Sequence, residues 1–197
     1  DLCCGYGRHT LGLAALGYSV TGLDRDAAAI AEARRRAVAA GLEIAWITGD
    51  MRATGALPET FDAVVNMWQS LSYFDDATNV ALLRALHDRL TPGGRLVVDS
   101  FNRDYFERKQ GERTQQIGDV TVATHAWLDG DRWHSALTYR DAQGAITGSD
   151  HFDWRIYTPE EFSALAADCG FATRQACAWA DEAIAVTPET ARMQITL

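Results

Sequence analysis

The sequence lacks any apolar run near the roughly 18–20 residues a bilayer-spanning helix requires, so no membrane partner is expected. It also lacks a basic stripe. Asp and Glu number 27 against 18 Lys and Arg, giving a net charge of -9. Nucleic-acid binders concentrate cations to neutralise phosphates, so this balance argues against such a partner. The densest basic cluster, Arg34-Arg35-Arg36, points three ways around a helix and reads as a solvated face. The four cysteines, Cys3, Cys4, Cys169 and Cys177, show neither CxxC spacing nor a paired ligand pattern. They read as reduced, partly buried thiols of a cytoplasmic protein, with no metal site. No internal repeat, low-complexity stretch or linker divides the chain. With 47% hydrophobic and 23% charged residues, an ordinary globular composition, it reads as one domain over residues 1–197.

The first hundred residues alternate strand and helix signals. A strand is expected over 18–23, ending at Asp24. Asp26 then caps an Ala-rich helix that stops near Gly41. Short apolar runs follow at 43–48 and 61–66. A helix with Val80, Leu83, Leu86 and Leu90 on one face comes next, broken by Thr91-Pro92-Gly93-Gly94 before a strand over 95–101. Strands alternating with helices imply a parallel sheet covered on both faces. After residue 102 the period changes to two. Segments 120–128, 132–140 and 145–157 alternate apolar and polar residues and are separated by turn sequences, which predicts an antiparallel meander within 118–157. Thr158 and Glu161 form a capping box with Pro159 at the first helical position. Phe162, Leu165, Ala166 and Cys169 supply that helix's buried face. Two strand-like segments, about 171–178 and 184–197, complete the chain.

The opening Asp1-Leu2-Cys3-Cys4-Gly5-Tyr6-Gly7-Arg8-His9 reads as a strand end, a glycine turn and a helix start. Gly5 and Gly7 permit unusual dihedrals and close ligand approach, and the helix N-terminus favours polar or anionic groups. Asp24 stands where nucleotide-binding α/β folds place an acid on a ribose diol; the alternative is a capping carboxylate. Asp50 ends the third strand near where an adenine amine would lie, or else only stabilises a turn. A dinucleotide fingerprint, and with it an NAD(P)-dependent oxidoreductase, competes for these residues. Thr10, however, occupies the third position, where that fingerprint wants Gly or Ala.

Taken in order, these segments resemble class I S-adenosylmethionine (SAM)-dependent methyltransferases. Asp1 through His9 is similar to their first motif, and Asp24 to their ribose-binding acid. Gly49-Asp50-Met51 resembles the adenine-contacting segment. Phe61 through Asn66 and Leu90 through Leu96 resemble the fourth strand and the run into the fifth. The resemblance covers nearly the whole chain. It implies a doubly wound, mostly parallel, seven-stranded Rossmann-like sheet with the meander inserted. It implies SAM as cofactor, held by Asp1, Gly5, Gly7, Asp24, Asp50, Met51 and Asn66. It also implies transfer of the SAM methyl to N or O of a small-molecule acceptor; the alternative is a SAM-binding protein without catalysis. The meander and the Asn66–Phe74 segment are similar to bacterial small-molecule enzymes, including sugar N-methyltransferases. Cys3 departs from the pattern, standing where many relatives carry the first glycine. Asn66-Met67-Trp68-Gln69 lacks the Asn-Pro-Pro-Tyr of enzymes that methylate exocyclic amines of bases or glutamine. Because the sequence opens inside the first motif, an upstream segment that helps cover the substrate is expected. Trp68, Tyr73 and Phe74 are pocket or core aromatics. Trp133 and Trp154 pack in the meander or contact a homodimer partner.

Turn lengths in the meander predict a register. A turn at Asp129-Gly130 sets His125 opposite His134, and the next sets His134 opposite His151, a row roughly 5 Å apart from strand to strand. Val122, Leu128, Trp133, Leu137, Phe152 and Trp154 fall on the other face. The histidine face is then either solvated or turned to substrate, with His125 and His134 as candidate catalytic bases.

Overall fold

A computed structural model describes residues 1–197. Helix α1 (Arg8–Ala15) follows the glycine turn. It is succeeded by β1 (Thr21–Asp24), α2 (Ala27–Ala39), β2 (Ala45–Thr48), β3 (Phe61–Asn66), α3 (Asp76–His87) and β4 (Leu90–Phe101). Short 3₁₀ helices occupy Met51–Ala56 and Ser70–Tyr73. β1 and β2 form a parallel pair, and β3 pairs in parallel with β4. Leu2 makes a parallel bridge to Leu23 on one side and Asn66 on the other, tying the two pieces edge to edge. Beyond β4 lie β10 (Arg192–Thr196), antiparallel to it, and then β9 (Gln175–Cys177). In place of one continuous seven-stranded sheet there are a two-stranded and a four-stranded sheet, bridged at Leu2.

Local chemistry sets most boundaries. Asp26 accepts from the amides of Ala28 and Ala29, and Ala29, Ile30, Ala33 and Ala37 then recur at helical spacing on the buried side of α2. In α5 (Pro159–Ala167) the Thr158–Glu161 capping box is present in both directions. Asp75 caps α3, which buries Asn79, Leu82, Leu83 and Leu86. Leu90, expected on that helix face, opens β4 instead. Phe61 pairs with Leu90, the register shifts, and pairing resumes at Ala63 with Arg95. Pro92-Gly93 thus bulges a strand that begins ahead of the expected Arg95. The core gathers Leu82, Leu83, Leu86, Leu96, Phe162 and Ile195, each at most 2% exposed. Each such side chain contributes roughly 1.5–3 kcal/mol of transfer free energy.

A short helix, α4 (Arg103–Glu107), leads to a separate four-stranded antiparallel sheet: β5 (Gly111–Ile117), β6 (Val120–Asp129), β7 (Arg132–Arg140) and β8 (Ile146–Arg155). The meander thus begins at Gly111, ahead of the expected residue 118. β5 has no apolar alternation because it is an edge strand exposed along its whole length.

The turn residues also differ from the expected ones. Asp129 pairs with Arg132, so the loop is Gly130-Asp131, with Gly130 at φ 60° in the first loop position as a type II′ hairpin requires. At the next turn Arg140 pairs with Ile146, and the register shifts beside it. His125 therefore faces Ala136, His134 faces Trp127 and Asp153, and His151 faces Ala136. Each slip is two residues, an even number, so the faces survive while the histidine row does not. Trp127 intervenes. Its ring stacks on His125, at 4.9 Å, and on His134, at 5.0 Å, while His151 lies 5.6 Å from His134 and 5.9 Å from Trp127. On the other face Trp133 is buried against Phe106, and Trp154 packs on Phe101 and Phe152. Both tryptophans thus have packing partners within the chain. No helix is long and apolar enough to cross a membrane.

Candidate functional site

A cavity of about 810 Å³ opens at the carboxyl ends of β1, β2 and β3, within the range that holds small-molecule ligands. The glycine turn forms its floor. Gly5 lies at φ 52° with nothing within 4 Å of where a Cβ would stand, so the backbone there is bare to the cavity. Gly7 lies at φ 78°, but a Cβ there would meet Trp46 Cη2 at 2.8 Å. Its role is to let α1 close onto β2 rather than to line the cavity. Cys3, the position that departs from glycine, is held at φ 60°, a left-handed conformation that L-residues disfavour.

Asp24, at the end of β1, accepts from the Gly5 amide at 2.8 Å through one oxygen and from Asp26 N at 2.9 Å through the other. Each oxygen retains a further lone pair, and the carboxylate lines the cavity. Asp50 also lines the cavity. It accepts from Arg52 N and from the Arg52 guanidinium at 2.6 and 3.0 Å, and these hydrogen bonds hold its carboxyl down at about 2. Met51 is 4% exposed, with its thioether against Cys3. Burial pushes the Cys3 and Cys4 thiols up to about 11, so neither is a thiolate nucleophile near neutral pH.

Two further expected cofactor residues, besides Gly7, lie behind this lining. The Asp1 carboxylate accepts from Thr10 N at 3.0 Å and Thr10 Oγ1 at 2.6 Å. It caps α1 from outside, because Gly7 at the N-cap has no side chain. Asn66 is fully buried and donates to Leu2 O at 3.1 Å, clamping the motif strand to β3, while its Oδ1 has no partner. Both are positioning residues in this geometry. His125 and His134 are absent from the lining as well, since their stack occupies the other sheet.

The imidazole at the cavity is His9. Burial, then the neighbouring Arg8 charge, lowers its pKa, so it is neutral at pH 7. Of the two readings left open for Trp68, Tyr73 and Phe74, the structure places all three in the cavity lining, with Phe74 also packed against the core. Trp68 and Gln69 both take left-handed conformations, at φ 60° and 51°. A buried acid, Asp99, fixes them. Its carboxylate accepts from Trp68 N at 2.9 Å, pairs with Arg192 and accepts from Gln194 Nε2. Arg192 also donates to Gln69 Oε1 at 2.7 Å and lies over the Trp68 ring, 4.5 Å from its centre. Asp99, Arg192 and Gln194 are not flagged by the sequence. The available signal is a pair of polar residues two apart on the last strand, facing an acid on a neighbour.

The fold has counterparts. Residues 1–94 match the family described as a methyltransferase domain. The chain is 35% identical over 104 residues to a ubiquinone biosynthesis O-methyltransferase of Ruegeria pomeroyi, covering 53% of this chain and 41% of that one. It therefore spans less than half of the length of that relative. A SAM-dependent methyltransferase from Clostridium acetobutylicum has the same fold, with TM-score 0.84 and 17% identity over 100% of this chain and 81% of its own. CalS10, an amino pentose methyltransferase of Micromonospora echinaspora solved with SAM bound, superposes with TM-score 0.72 and 26% identity, covering 100% and 81%. The first 94 residues thus match a methyltransferase domain, and the whole chain has the fold of solved SAM-dependent methyltransferases.

Proposed function

We propose that this protein transfers the methyl group of SAM to a nitrogen or oxygen of a small-molecule acceptor, leaving S-adenosylhomocysteine. The observation that carries this reading is one continuous cavity that joins the bare Gly5 backbone and the Asp24 and Asp50 carboxylates to a neutral imidazole, His9, and an aromatic wall. The residues fit the cofactor. Gly5 presents open backbone, Asp24 keeps acceptor capacity for a diol, and Asp50 and Met51 flank the space an adenine would fill. SAM, when bound, supplies a methyl group already activated by its sulfonium.

The chain's own contribution is alignment, exclusion of water and management of one proton. Trp68, Tyr73 and Phe74 narrow the acceptor side. His9 accepts the proton released by an O–H or N–H acceptor. It replaces His125 and His134 in that role because it lines the cavity and they do not. The aminosugar activity named for CalS10 and the O-methyl transfer named for the ubiquinone relative make hydroxyl and amino acceptors the two arms of the test.

Incubation with methyl-labelled SAM and a panel of amines, phenols and sugars should yield a labelled product and stoichiometric S-adenosylhomocysteine. SAM binding with no turnover of any acceptor would return the protein to the non-catalytic alternative.

A further inference from the structure

We infer that Arg8, laid over Trp68, is the recognition element for an anionic group of the acceptor, a carboxylate or phosphate carried beside the atom that receives the methyl. This rests on the methyl-transfer reading above. Arg8 is exposed at the cavity, and no carboxylate pairs with it. Its polar contact is His9 Nε2, at 3.5 Å from Nη2. Nor do the cavity's own acids neutralise it. Asp50 is engaged by Arg52, and Asp24 by the amides of Gly5 and Asp26. The second arginine near Trp68 differs in this respect, since Arg192 is matched by Asp99.

The guanidinium of Arg8 is held in place all the same. Its carbon lies 4.9 Å from the centre of the Trp68 ring. A guanidinium over an aromatic face is positioned by the ring while its N–H groups stay free, the arrangement that grips a carboxylate or phosphate with two parallel hydrogen bonds. The platform is built rather than incidental. Trp68 keeps a left-handed backbone because its amide is held by buried Asp99, and Arg192 also packs over its ring. An anion on Arg8 would sit within one residue of His9, so one end of the acceptor is anchored where its other end meets the base.

A competing source for the anion is the α-carboxylate of SAM itself, and the test separates the two. The protein loaded with S-adenosylhomocysteine is titrated by ligand-observed NMR with benzoate, phenyl phosphate and benzamide. At least one of the anions should bind about tenfold or more tighter than benzamide, the scale of one charge-assisted pair. Arg8→Gln should erase that difference, Arg8→Lys should keep part of it, and Trp68→Leu should reduce it, with S-adenosylhomocysteine affinity unchanged in each. Equal binding of anions and benzamide, no binding of either anion, or a preference that survives Arg8→Gln overturns the inference. So does an Arg8→Gln protein that loses S-adenosylhomocysteine affinity as steeply, because the guanidinium then serves the cofactor. Labelled methyl transfer to neutral acceptors alongside any of these outcomes would leave the broader function standing.

Discussion

Replacing Cys3 tests whether the first motif is strained where it departs from glycine. Cys3 sits at φ 60°, and a left-handed L-residue costs roughly 1–2 kcal/mol. Cys3→Ala removes the thiol and its contact with Met51 but retains that strain. Cys3→Gly removes both. At an ordinary position Gly is about 0.5–1 kcal/mol worse than Ala, because the unfolded chain gains freedom. Here relief of about 1–2 kcal/mol opposes a penalty of about 0.5–1 kcal/mol, so the Gly variant should be the more stable of the two by up to about 1.5 kcal/mol. Urea unfolding of both variants, followed by tryptophan fluorescence, measures the difference as a shift in midpoint at constant slope. The comparison between Ala and Gly cancels the buried thiol, which a comparison with the wild type would not. A Cys3→Ala protein as stable as Cys3→Gly, or more so, would refute the strain argument.

Other outcomes follow from the same geometry. Asp24→Ala should weaken SAM binding by roughly 1.5–3 kcal/mol in calorimetry, the scale of hydrogen bonds to a charged group, with part of the loss arising from the freed Gly5 amide. His9→Ala should lower kcat by about 10²–10⁴ on an acceptor that must lose its proton. Because burial and Arg8 lower the His9 pKa, the wild-type rate should hold as pH falls through the usual histidine value near ~6.5 and decline only below it. A decline centred at or above ~6.5 would remove His9 as the base. Asp99→Asn keeps the shape but leaves Arg192, with 15% of its side chain exposed, without its counter-charge. Loss of such a pair costs about 3–5 kcal/mol when fully buried, and the Gln69 contact and partial exposure should hold the measured loss to about 2–4 kcal/mol by chemical denaturation.

The parts of this molecule legible in its sequence are those decided by neighbours along the chain. Asp26 caps residues two and three places on, Thr158 and Glu161 cap each other, and the glycine turn adjoins its own helix. The ordered motifs therefore point to the cavity. Long-range pairing hides the rest. Asp1 looks like a ligand contact until Thr10, nine residues away, is seen to hold it through both backbone and side chain. Asp99 is an unremarked acid until Arg192, 93 residues later, lies beside it. β5 is hidden for a different reason: exposed along its whole length, its sequence carries no period. The histidine face tolerates a misplaced loop at both turns because facing depends on parity, whereas the row depends on exact loop length.

The carboxylate of Asp99 reaches farther than its immediate partners. Gln194, which donates to it, accepts from the Ala180 amide at 2.7 Å, and Trp179 and Ala180 form a second left-handed pair. The amides of Trp68 and Ala180 are thus moored to one side-chain cluster, and the amide of Gln69 to the Asp99 carbonyl at 2.9 Å. The two halves of the cavity therefore depend on different parts of the chain. The glycine turn, Asp24 and Asp50 are held by contacts among the first 52 residues. The aromatic wall is held by an acid on β4 whose counter-charge arrives on β10, at the far end of the chain. A chain cut short before Arg192 would keep every residue assigned to the cofactor and lose the cation that balances the anchor of Trp68. The aromatic half of the cavity is therefore the half that depends on the final strand.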